Sequence, residues 1–143
     1  RLLSILNILN ELANSQEFKV LNAAGFSMET EVKDNDRINI IFNHVKINFK
    51  EEITLEEVAD LASMTVPSFC RYFKKVTNKT FTQFVNEYRL VHASKLLAEQ
   101  PISITEVCFE SGFNNFSHFN KLFKAFTGQN PSEYRNQLKA VLQ

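Results

Sequence analysis

The stretch FNNFSHFNKLFKAFTG, residues 113–128, places five phenylalanines among polar and basic side chains. About fifty positions earlier, residues 67–80 read PSFCRYFKKVTNKT. Both stretches contain the pattern F-x-x-x-F-K and continue to a threonine followed by Asn or Gly. Phenylalanines four positions apart lie on one face of a helix. The chain therefore contains the same aromatic and basic helix twice.

The segments that precede these two helices repeat as well. ITLEEVADLASM (53–64) aligns with ISITEVCFESGF (102–113) at an offset of 49, and after this segment the offset is 50. A slip of one residue is tolerated in a turn. Each repeat then reads as a short helix, a tight turn with Ser63 or Gly112, and a second helix. This is the helix-turn-helix layout, in which the second helix enters the DNA major groove.

Helix start signals occur in register with the apolar periodicity. Capping-box spacing is found at Thr54, Thr80 and Ser103, and Asn130-Pro131 with Glu133 forms a fourth start. These signals predict helices over 36–49, 55–62, 66–76, 81–99, 104–111, 115–126 and 132–141. The sequence predicts an all-α fold with two helix-turn-helix subdomains joined by a long linker helix.

The net charge of zero hides an asymmetry along the chain. Residues 1–63 hold 6 Lys/Arg and 11 Asp/Glu, a net −5, whereas residues 64–143 hold 10 and 5, a net +5. A basic C-terminal part is compatible with a polyanionic partner. The two cysteines lack metal-ligand spacing, and no apolar run is long enough to span a membrane. We therefore expect no membrane association and a reducing, cytoplasmic location.

A helical wheel separates an apolar face from a cationic face on each repeated helix. Phe69, Phe73 and Val76 share one face of the first helix, and Phe119, Phe123 and Phe126 share one face of the second. The opposite and flanking positions, together with the residue that starts the second helix, are the predicted DNA-contacting residues: Pro67, Ser68, Arg71, Lys74, Lys75, Asn115, Ser117, His118, Lys121 and Lys124.

The chemistry of these side chains predicts different contacts with double-stranded DNA. Arg71 suits bidentate hydrogen bonding to a guanine edge. Lys74, Lys75 and Lys124 suit phosphates, which supply affinity without sequence information. The predicted linker helix, roughly 19 residues, is about 28 Å long, and successive major grooves on one DNA face are about 34 Å apart. One chain could therefore place two recognition helices in adjacent grooves.

Two long stretches resemble the AraC/XylS-type transcription regulators. VADLASMTVPSFCRYFKKVTNKTFTQFVNEYRLVHASKLL (58–97) is similar to that family's first helix-turn-helix and linker helix. ITEVCFESGFNNFSHFNKLFKAFTGQNPSEYR (104–135) is similar to its C-terminal signature. The resemblance implies promoter binding by a bacterial cytoplasmic protein, with RNA polymerase as a further partner. It places base contacts on Pro67, Ser68 and Arg71, then on Ser117, His118 and Lys121.

Lys121 stands where the family frequently has arginine. Because a lysine ammonium cannot make the bidentate contact of a guanidinium, the second helix is expected to act mainly on phosphates.

The N-terminal residues are expected to belong to another domain. Residues 2–13, LLSILNILNELA, place Leu2, Ile5, Leu9 and Leu12 on one helical stripe. The family resemblance implies an N-terminal sensor or dimerisation domain, and a homodimer through residues 2–13 or through that missing domain is one possibility. The predicted division is 1–33 as the tail of that domain and linker, 34–80 as the first helix-turn-helix subdomain, 81–100 as the linker helix and 101–143 as the second.

Two other classes of protein compete with a transcription regulator. A helical protein-interaction module could use the same basic faces to dock an acidic protein partner. An enzyme is disfavoured because the sequence offers no nucleophile–base pair and no phosphate loop. The three histidines, His44, His92 and His118, are scattered, so neither a zinc site nor any cofactor is expected. The preferred interpretation is a sequence-specific DNA-binding transcription regulator without catalytic activity.

Overall fold

The computed structural model describes residues 28–142, with the side chains of residues 34–141. Within this range the chain forms seven α-helices and no strand. They are α1 (Met28–Asn48), α2 (Leu55–Leu61), α3 (Val66–Thr77), α4 (Phe81–Glu99), α5 (Ile104–Glu110), α6 (Phe116–Thr127) and α7 (Pro131–Leu142). The all-α prediction is confirmed, and α2 to α7 agree with the predicted helices to within one residue at each end.

Helix α1 begins earlier than the sequence predicts. It starts at Met28 rather than at 36, because the segment contains neither Pro nor Gly to interrupt a helix. The helix is continuous across residues 33 and 34, where the sequence predicts a domain boundary. The division of the chain at 33 and 34 stays a prediction, and the expected dimer contact through residues 2–13 lies outside the described residues.

Local capping accounts for the helix starts. The Thr54 hydroxyl accepts a hydrogen bond from the Glu57 N–H at 3.2 Å, which is half of the predicted capping box. Complete reciprocal boxes form at Thr80 and Ser103. Asn130 makes the same reciprocal pair with the residue three positions on. Each cap satisfies backbone donors that the first helical turn leaves without partners.

Each helix-turn-helix subdomain has its own core. The first core is closed by residues of α1 to α4, and the second by residues of α4 to α6 with Phe113 from the turn. The buried members of the first are Ile38, Ile41, Val45, Val58, Ala59, Ala62, Phe69, Phe73, Phe81 and Val85. Those of the second are Leu90, Ala93, Leu96, Leu97, Val107, Cys108, Phe113, Phe119 and Phe123.

The linker helix α4 is shared between the two cores. Phe81 and Val85 near its N-terminus belong to the first core, and Leu90, Ala93 and Leu97 further along belong to the second. Because both ends are anchored by buried apolar side chains, α4 does not act as a free spacer. It connects the two subdomains as a packed element of each.

The backbone confirms that the two subdomains are structural repeats. The turn residues Ser63 and Gly112 both have positive φ, 56° and 93°, as do the C-caps Asn78 and Gly128, 60° and 83°. Left-handed conformations of this kind end helices and form tight turns. Because both equivalent positions of each repeat adopt left-handed φ, α3 and α6 begin and end in the same way.

Candidate nucleic-acid interface

Helix α3 is fixed on the first subdomain by its buried aromatic face. Phe69 and Phe73 are fully buried, and their rings lie 5.6 Å and 5.4 Å from the ring of Phe81 in edge-on contacts. Thr65 caps the helix start by accepting a hydrogen bond from the Ser68 N–H. Aromatic packing of this kind stabilises the helix beyond its area burial alone. The rotation of α3 about its own axis is therefore set, and with it the outward face.

The outward face of α3 carries cations that have no acidic partner. Arg71, Lys74 and Lys75 are exposed, and none of them forms an ion pair within the described part of the chain. By contrast, Lys79 is ion-paired with Glu87. Lys74 and Lys75 lie in the last helical turn, where a positive charge is favoured by the helix dipole. These three cations are available for an external anion.

Two predicted contact residues of α3 sit at its start. Pro67 is exposed at the beginning of the helix. Ser68 is half-buried, and its hydroxyl oxygen accepts a hydrogen bond from the Thr65 hydroxyl at 2.9 Å. The Ser68 hydroxyl oxygen is therefore held in place by a neighbour on the protein, and its own proton is left for another acceptor.

Helix α6 presents the equivalent face of the second subdomain. Ser117, His118, Lys121 and Lys124 are exposed, and neither lysine is ion-paired within residues 34–141. Behind them, Phe119 and Phe123 are fully buried, with ring centroids 5.7 Å apart. The second cationic face is therefore held in the same manner as the first, with fewer charges.

Asn115 has a structural task that the sequence did not reveal. It is the N-cap of α6, and its side-chain oxygen accepts a hydrogen bond from the His118 N–H at 2.8 Å. The residue is exposed, but its oxygen already has a protein donor. Any contact of Asn115 with DNA would use the amide NH₂ group; that contact stays a prediction.

Val76 does not lie on the buried face as the helical wheel predicts. Its side chain is 40% exposed, whereas its repeat counterpart Phe126 is half-buried against the second core. Both positions lie near the C-terminal end of their helices. The shorter valine does not reach the core from there, while the longer phenylalanine does. The apolar stripe of α3 is thus shorter than that of α6.

Two arginines with structural roles were missed from the sequence. Arg89 donates to the carbonyl oxygens of Phe49 and Glu51, and Arg135 donates to those of Leu97, Gln100 and Ile102. Each guanidinium thereby satisfies carbonyls at or just after a helix end. The sequence contained one signal that could have identified them. Both arginines end the tripeptide Glu-Tyr-Arg, which occurs at 87–89 and again at 133–135.

A cleft of about 460 Å³ lies between the two subdomains and reaches the start of α6. Its lining includes Lys50 and Arg89, the acidic Glu51 and Glu52, and His118 of the second cationic face. Because charges of both signs line the cleft, it does not indicate an anion or a cation as ligand. His118 therefore lies at the border between this cleft and the exposed cationic face of α6.

The cysteines and histidines do not form a metal centre in the described part of the chain. No three His, Cys, Asp or Glu side chains among residues 34–141 converge as metal ligands. Cys108 is buried, and burial raises the pKa of its thiol, which disfavours the reactive thiolate. None of the helices described here combines the length and apolar character needed to cross a membrane.

The match to a protein family covers most of this architecture. Residues 58–137, more than half of the chain, match the profile of a family described as a helix-turn-helix domain. The chain belongs to the AraC-type helix-turn-helix family. The matched segment begins in α2 and ends in α7, so it contains both recognition helices and the linker helix between them.

Bacterial transcription regulators are similar to this chain over most of its length. The uncharacterized HTH-type transcriptional regulator YdeC of Bacillus subtilis (strain 168) is 31% identical over 121 residues, which cover 82% of this chain and 42% of YdeC. The HTH-type transcriptional activator RhaS of Klebsiella pneumoniae (strain 342) is 32% identical over 118 residues, which again cover 82% of this chain and 42% of RhaS. The chain thus spans less than half the length of these relatives.

Solved structures share the fold. The DNA-binding domain of AdpA, crystallised with a target DNA, superposes with a TM-score of 0.67 at 24% identity, covering 73% of this chain and 93% of that domain. An AraC-type transcriptional regulator from Chromobacterium violaceum gives 0.65 at 20% identity, covering 78% and 96%. Two helix-turn-helix subdomains around a shared linker helix are therefore the fold of this family.

Proposed function

We propose that this chain is a sequence-specific DNA-binding domain of a transcription regulator, and that it places α3 and α6 in adjacent major-groove segments of a promoter. The observation that carries the proposal is the pair of equivalent recognition helices. Each is anchored by two fully buried phenylalanines and carries exposed cations that no acidic side chain neutralises within the described residues. A polyanion is the partner that such a surface fits.

The side chains divide into those that read bases and those that hold the backbone. Arg71 is assigned to a guanine edge because a guanidinium can donate two parallel hydrogen bonds. Lys74, Lys75, Lys121 and Lys124 are assigned to phosphates, which positions the domain without reading sequence. The smaller groups at the helix starts, Pro67, Ser68, Asn115, Ser117 and His118, are assigned to base edges and adjacent sugar or phosphate.

The length of α4 supports binding to two groove segments by one chain. Its 19 residues span about 28 Å, close to the distance of about 34 Å between successive major grooves on one DNA face. The anchoring of α4 in both cores supports the proposal, because it connects the two recognition helices through one continuous helix. A single chain then contacts two segments that a helix-turn-helix dimer would otherwise share.

The names of the relatives support a role at promoters. YdeC and RhaS are described as a transcriptional regulator and a transcriptional activator, and AdpA was crystallised with target DNA. By analogy, the proposed setting is the bacterial cytoplasm, the primary partner is double-stranded promoter DNA, and RNA polymerase is the second partner. The domain is proposed to act by binding and not by catalysis.

The decisive experiment is selection of duplexes from a random pool. The 143-residue chain is mixed with randomised double-stranded DNA, and the retained fragments are sequenced. We expect enrichment of a motif with two conserved blocks about one helical turn apart. Affinity for that motif should fall steeply between 50 and 200 mM salt because bound phosphates release counterions.

The control variants separate DNA recognition from general basicity. Lys46→Ala removes an exposed lysine of α1, outside both recognition helices, and should leave the selected motif unchanged. Arg71→Ala should weaken selection of one block. Retention of duplexes without any enriched motif, or binding that does not respond to salt, would contradict the proposal and favour an acidic protein partner.

A further inference from the structure

Where the two subdomains meet, one arginine bridges them. Arg89 lies near the middle of α4, and its Nε and Nη2 atoms donate to the carbonyl oxygens of Phe49 and Glu51 at 2.7 Å and 2.8 Å. On its other side, the guanidinium carbon is 5.9 Å from the centre of the Phe113 ring. Phe49 packs on the first core, and Phe113 is buried in the second. Arg89 therefore touches both subdomains at once.

Gly112 makes the closest approach in this region possible. A Cβ atom at this position would lie 2.6 Å from the Phe49 carbonyl oxygen, 3.0 Å from Arg89 Nε and 3.0 Å from Lys50 Cα. No side chain fits there without moving the backbone of the first subdomain. The turn of the second helix-turn-helix thus packs directly against the loop between α1 and α2.

Two further contacts surround this point. Lys50 Nζ and Glu110 Oε2 are 3.4 Å apart, and they connect the α1–α2 loop to α5. The rings of Phe49 and His92 are 4.8 Å apart in an edge-on contact. The ion pair is exposed and contributes little by itself, but it spans the same boundary as the Arg89 contacts.

The second glutamate-tyrosine-arginine segment has no such bridge. All three carbonyl partners of Arg135 belong to the end of α4 or to the loop that follows it, within the second subdomain. Capping of a helix end therefore explains Arg135 fully. It does not explain why Arg89 also contacts the turn of the other subdomain.

We propose that these residues form an inter-subdomain joint that selects the separation and rotational phase of the two DNA half-sites, with Arg89 and Gly112 as its positioning residues. The joint consists of Phe49, Lys50, Arg89, His92, Glu110, Gly112 and Phe113. This inference rests on the proposed function, because it assigns to the joint the geometry with which α3 and α6 reach DNA.

A single helix would not fix that geometry alone. Long helices bend, and a bend near the middle of α4 would move α6 relative to α3. The joint lies beside the middle of α4 and connects the subdomains on one side of it, which opposes such a bend. Each added base pair moves a half-site by about 3.4 Å and rotates it by about 34°. A fixed joint therefore matches one spacing and rejects its neighbours.

The test measures affinity as a function of half-site separation. The two blocks of the selected motif are placed in duplexes with centre-to-centre separations from about 8 to 13 base pairs around one helical turn. Affinity of the 143-residue chain is measured by fluorescence anisotropy. The unmodified protein is expected to prefer one separation and to bind about tenfold more weakly two base pairs away.

Gly112→Ala and Gly128→Ala form a matched pair. Both glycines have positive φ, 93° and 83°, so alanine causes backbone strain at both. Only at Gly112 would the new Cβ atom meet the other subdomain, since at Gly128 no described atom beyond the adjoining residues of the chain lies within 4 Å of a Cβ. Gly112→Ala should flatten the separation profile or move its optimum, and Gly128→Ala should keep the profile of the unmodified protein.

Arg89→Lys is a second variant, and it tests the joint without adding an atom at position 112. It keeps the positive charge but loses the paired hydrogen bonds to Phe49 and Glu51. We expect the tenfold preference for one separation to fall to about threefold or less. The affinity for a duplex that contains only one block should not change. Unchanged single-block binding shows that the variants are folded.

The outcomes distinguish this inference from the proposed function. If Gly112→Ala and Arg89→Lys both retain the separation profile, the joint does not select spacing, although the protein still binds DNA. If the unmodified protein has no preferred duplex at all, the proposed function itself fails. Equal changes in Gly112→Ala and Gly128→Ala would assign the effect to backbone strain and would overturn the role of the joint.

Discussion

Arg71 and Lys74 lie one helical turn apart on the exposed face of α3, yet they are suited to different tasks. The guanidinium of Arg71 is planar and offers donors in a fixed fork, whereas the ammonium of Lys74 is a compact charge on a flexible stem. Both are exposed and lack an ion-pair partner among residues 34–141. Neither loses a protein contact on binding DNA, so their substitution should report on DNA contacts and not on stability.

Substitution of Arg71 by Ala is expected to weaken binding to the selected motif by about 1–3 kcal/mol and to relax preference at one base pair. Arg71→Lys restores the charge without the fork and should recover affinity but not the base preference. Competition titrations with single-base variants of the motif measure both effects. An equal loss on every duplex would remove Arg71 from base recognition.

Substitution of Lys74 by Ala should weaken all duplexes alike. A phosphate contact releases about one counterion, so the slope of log affinity against log salt should become shallower by about 0.9. Lys46→Ala, on α1, is the control and should leave the slope unchanged. The slope is obtained from titrations at several salt concentrations, and a slope for Lys74→Ala equal to that of the control would contradict the assignment.

A buried hydroxyl distinguishes the second turn from the first. Ser111 is fully buried, and its side-chain oxygen has no hydrogen-bond partner among the described residues. Its repeat counterpart is Ala62, which is also buried. Ser111→Ala should raise the free energy of unfolding by about 1 kcal/mol, since it removes an unsatisfied polar group, and Ala62→Ser should lower it by about as much. Urea unfolding of both variants provides the comparison, and destabilisation by Ser111→Ala would show that the hydroxyl is satisfied.

At the scale of elements, α4 is the helix that connects the two subdomains, because it contributes side chains to both cores. Its N-terminal half belongs to the first core and its C-terminal half to the second, so its surface is buried on different sides along its length. His92 lies where the two halves meet. Burial is the largest cause that lowers the pKa of His92 below its ordinary value of 6.5. The nearby charges of Lys50 and Lys95 lower the pKa further, while Glu110 and Glu99 partly oppose the shift. The folded protein therefore favours the neutral imidazole at this position.

The lowered pKa predicts a loss of stability in mild acid. The unfolded chain takes up a proton at His92 near pH 6.5, before the folded protein does, so the free energy of unfolding should decrease as the pH falls below that value. Above pH 6.5 the contribution of His92 is fully present. His92→Gln should reduce the decrease, while His118→Gln, on the exposed face of α6, should retain it. Urea unfolding between pH 8 and pH 5 tests this, and identical curves for His92→Gln and the unmodified protein would contradict it.

At the scale of the whole molecule, the two cationic faces act together only if one duplex engages both. In the proposed complex, once α3 is bound, α6 would lie near the next groove segment, and its binding would be effectively intramolecular. In the proposed complex, the contribution of the second subdomain depends both on the anchoring of α4 and on the two lysines of α6.

Scrambling one block of the selected motif is therefore expected to reduce affinity by about a hundredfold, to the level of a single subdomain. The combined variant Lys121→Ala with Lys124→Ala should produce a similar loss on the intact motif but little further loss when the second block is scrambled. Titrations of both proteins on both duplexes give the comparison. Equal losses on the intact and the scrambled duplex would show that α6 does not contact the second block.

Much of the candidate site could be predicted because it depends on short-range patterns. The periodicity of Phe69 and Phe73 fixed which face of α3 is buried, and the opposite face with Arg71 followed from it. The capping of α4 at Thr80 was equally visible. The exposure of Val76 was not, because it depends on how far a given side chain reaches towards a core built by other helices.

The sequence by itself determined the repeat, the limits of α2 to α7 and the identity of the two cationic faces, because caps, turns and helical periodicity act over three to five residues. Only the tertiary structure decided how α4 is divided between two cores and that Arg89 and Gly112 join the subdomains. Those contacts pair Arg89 with a carbonyl 40 residues away and Lys50 with a carboxylate 60 residues away. Contacts of that range arise from the packing of distant helices, and no local pattern encodes them.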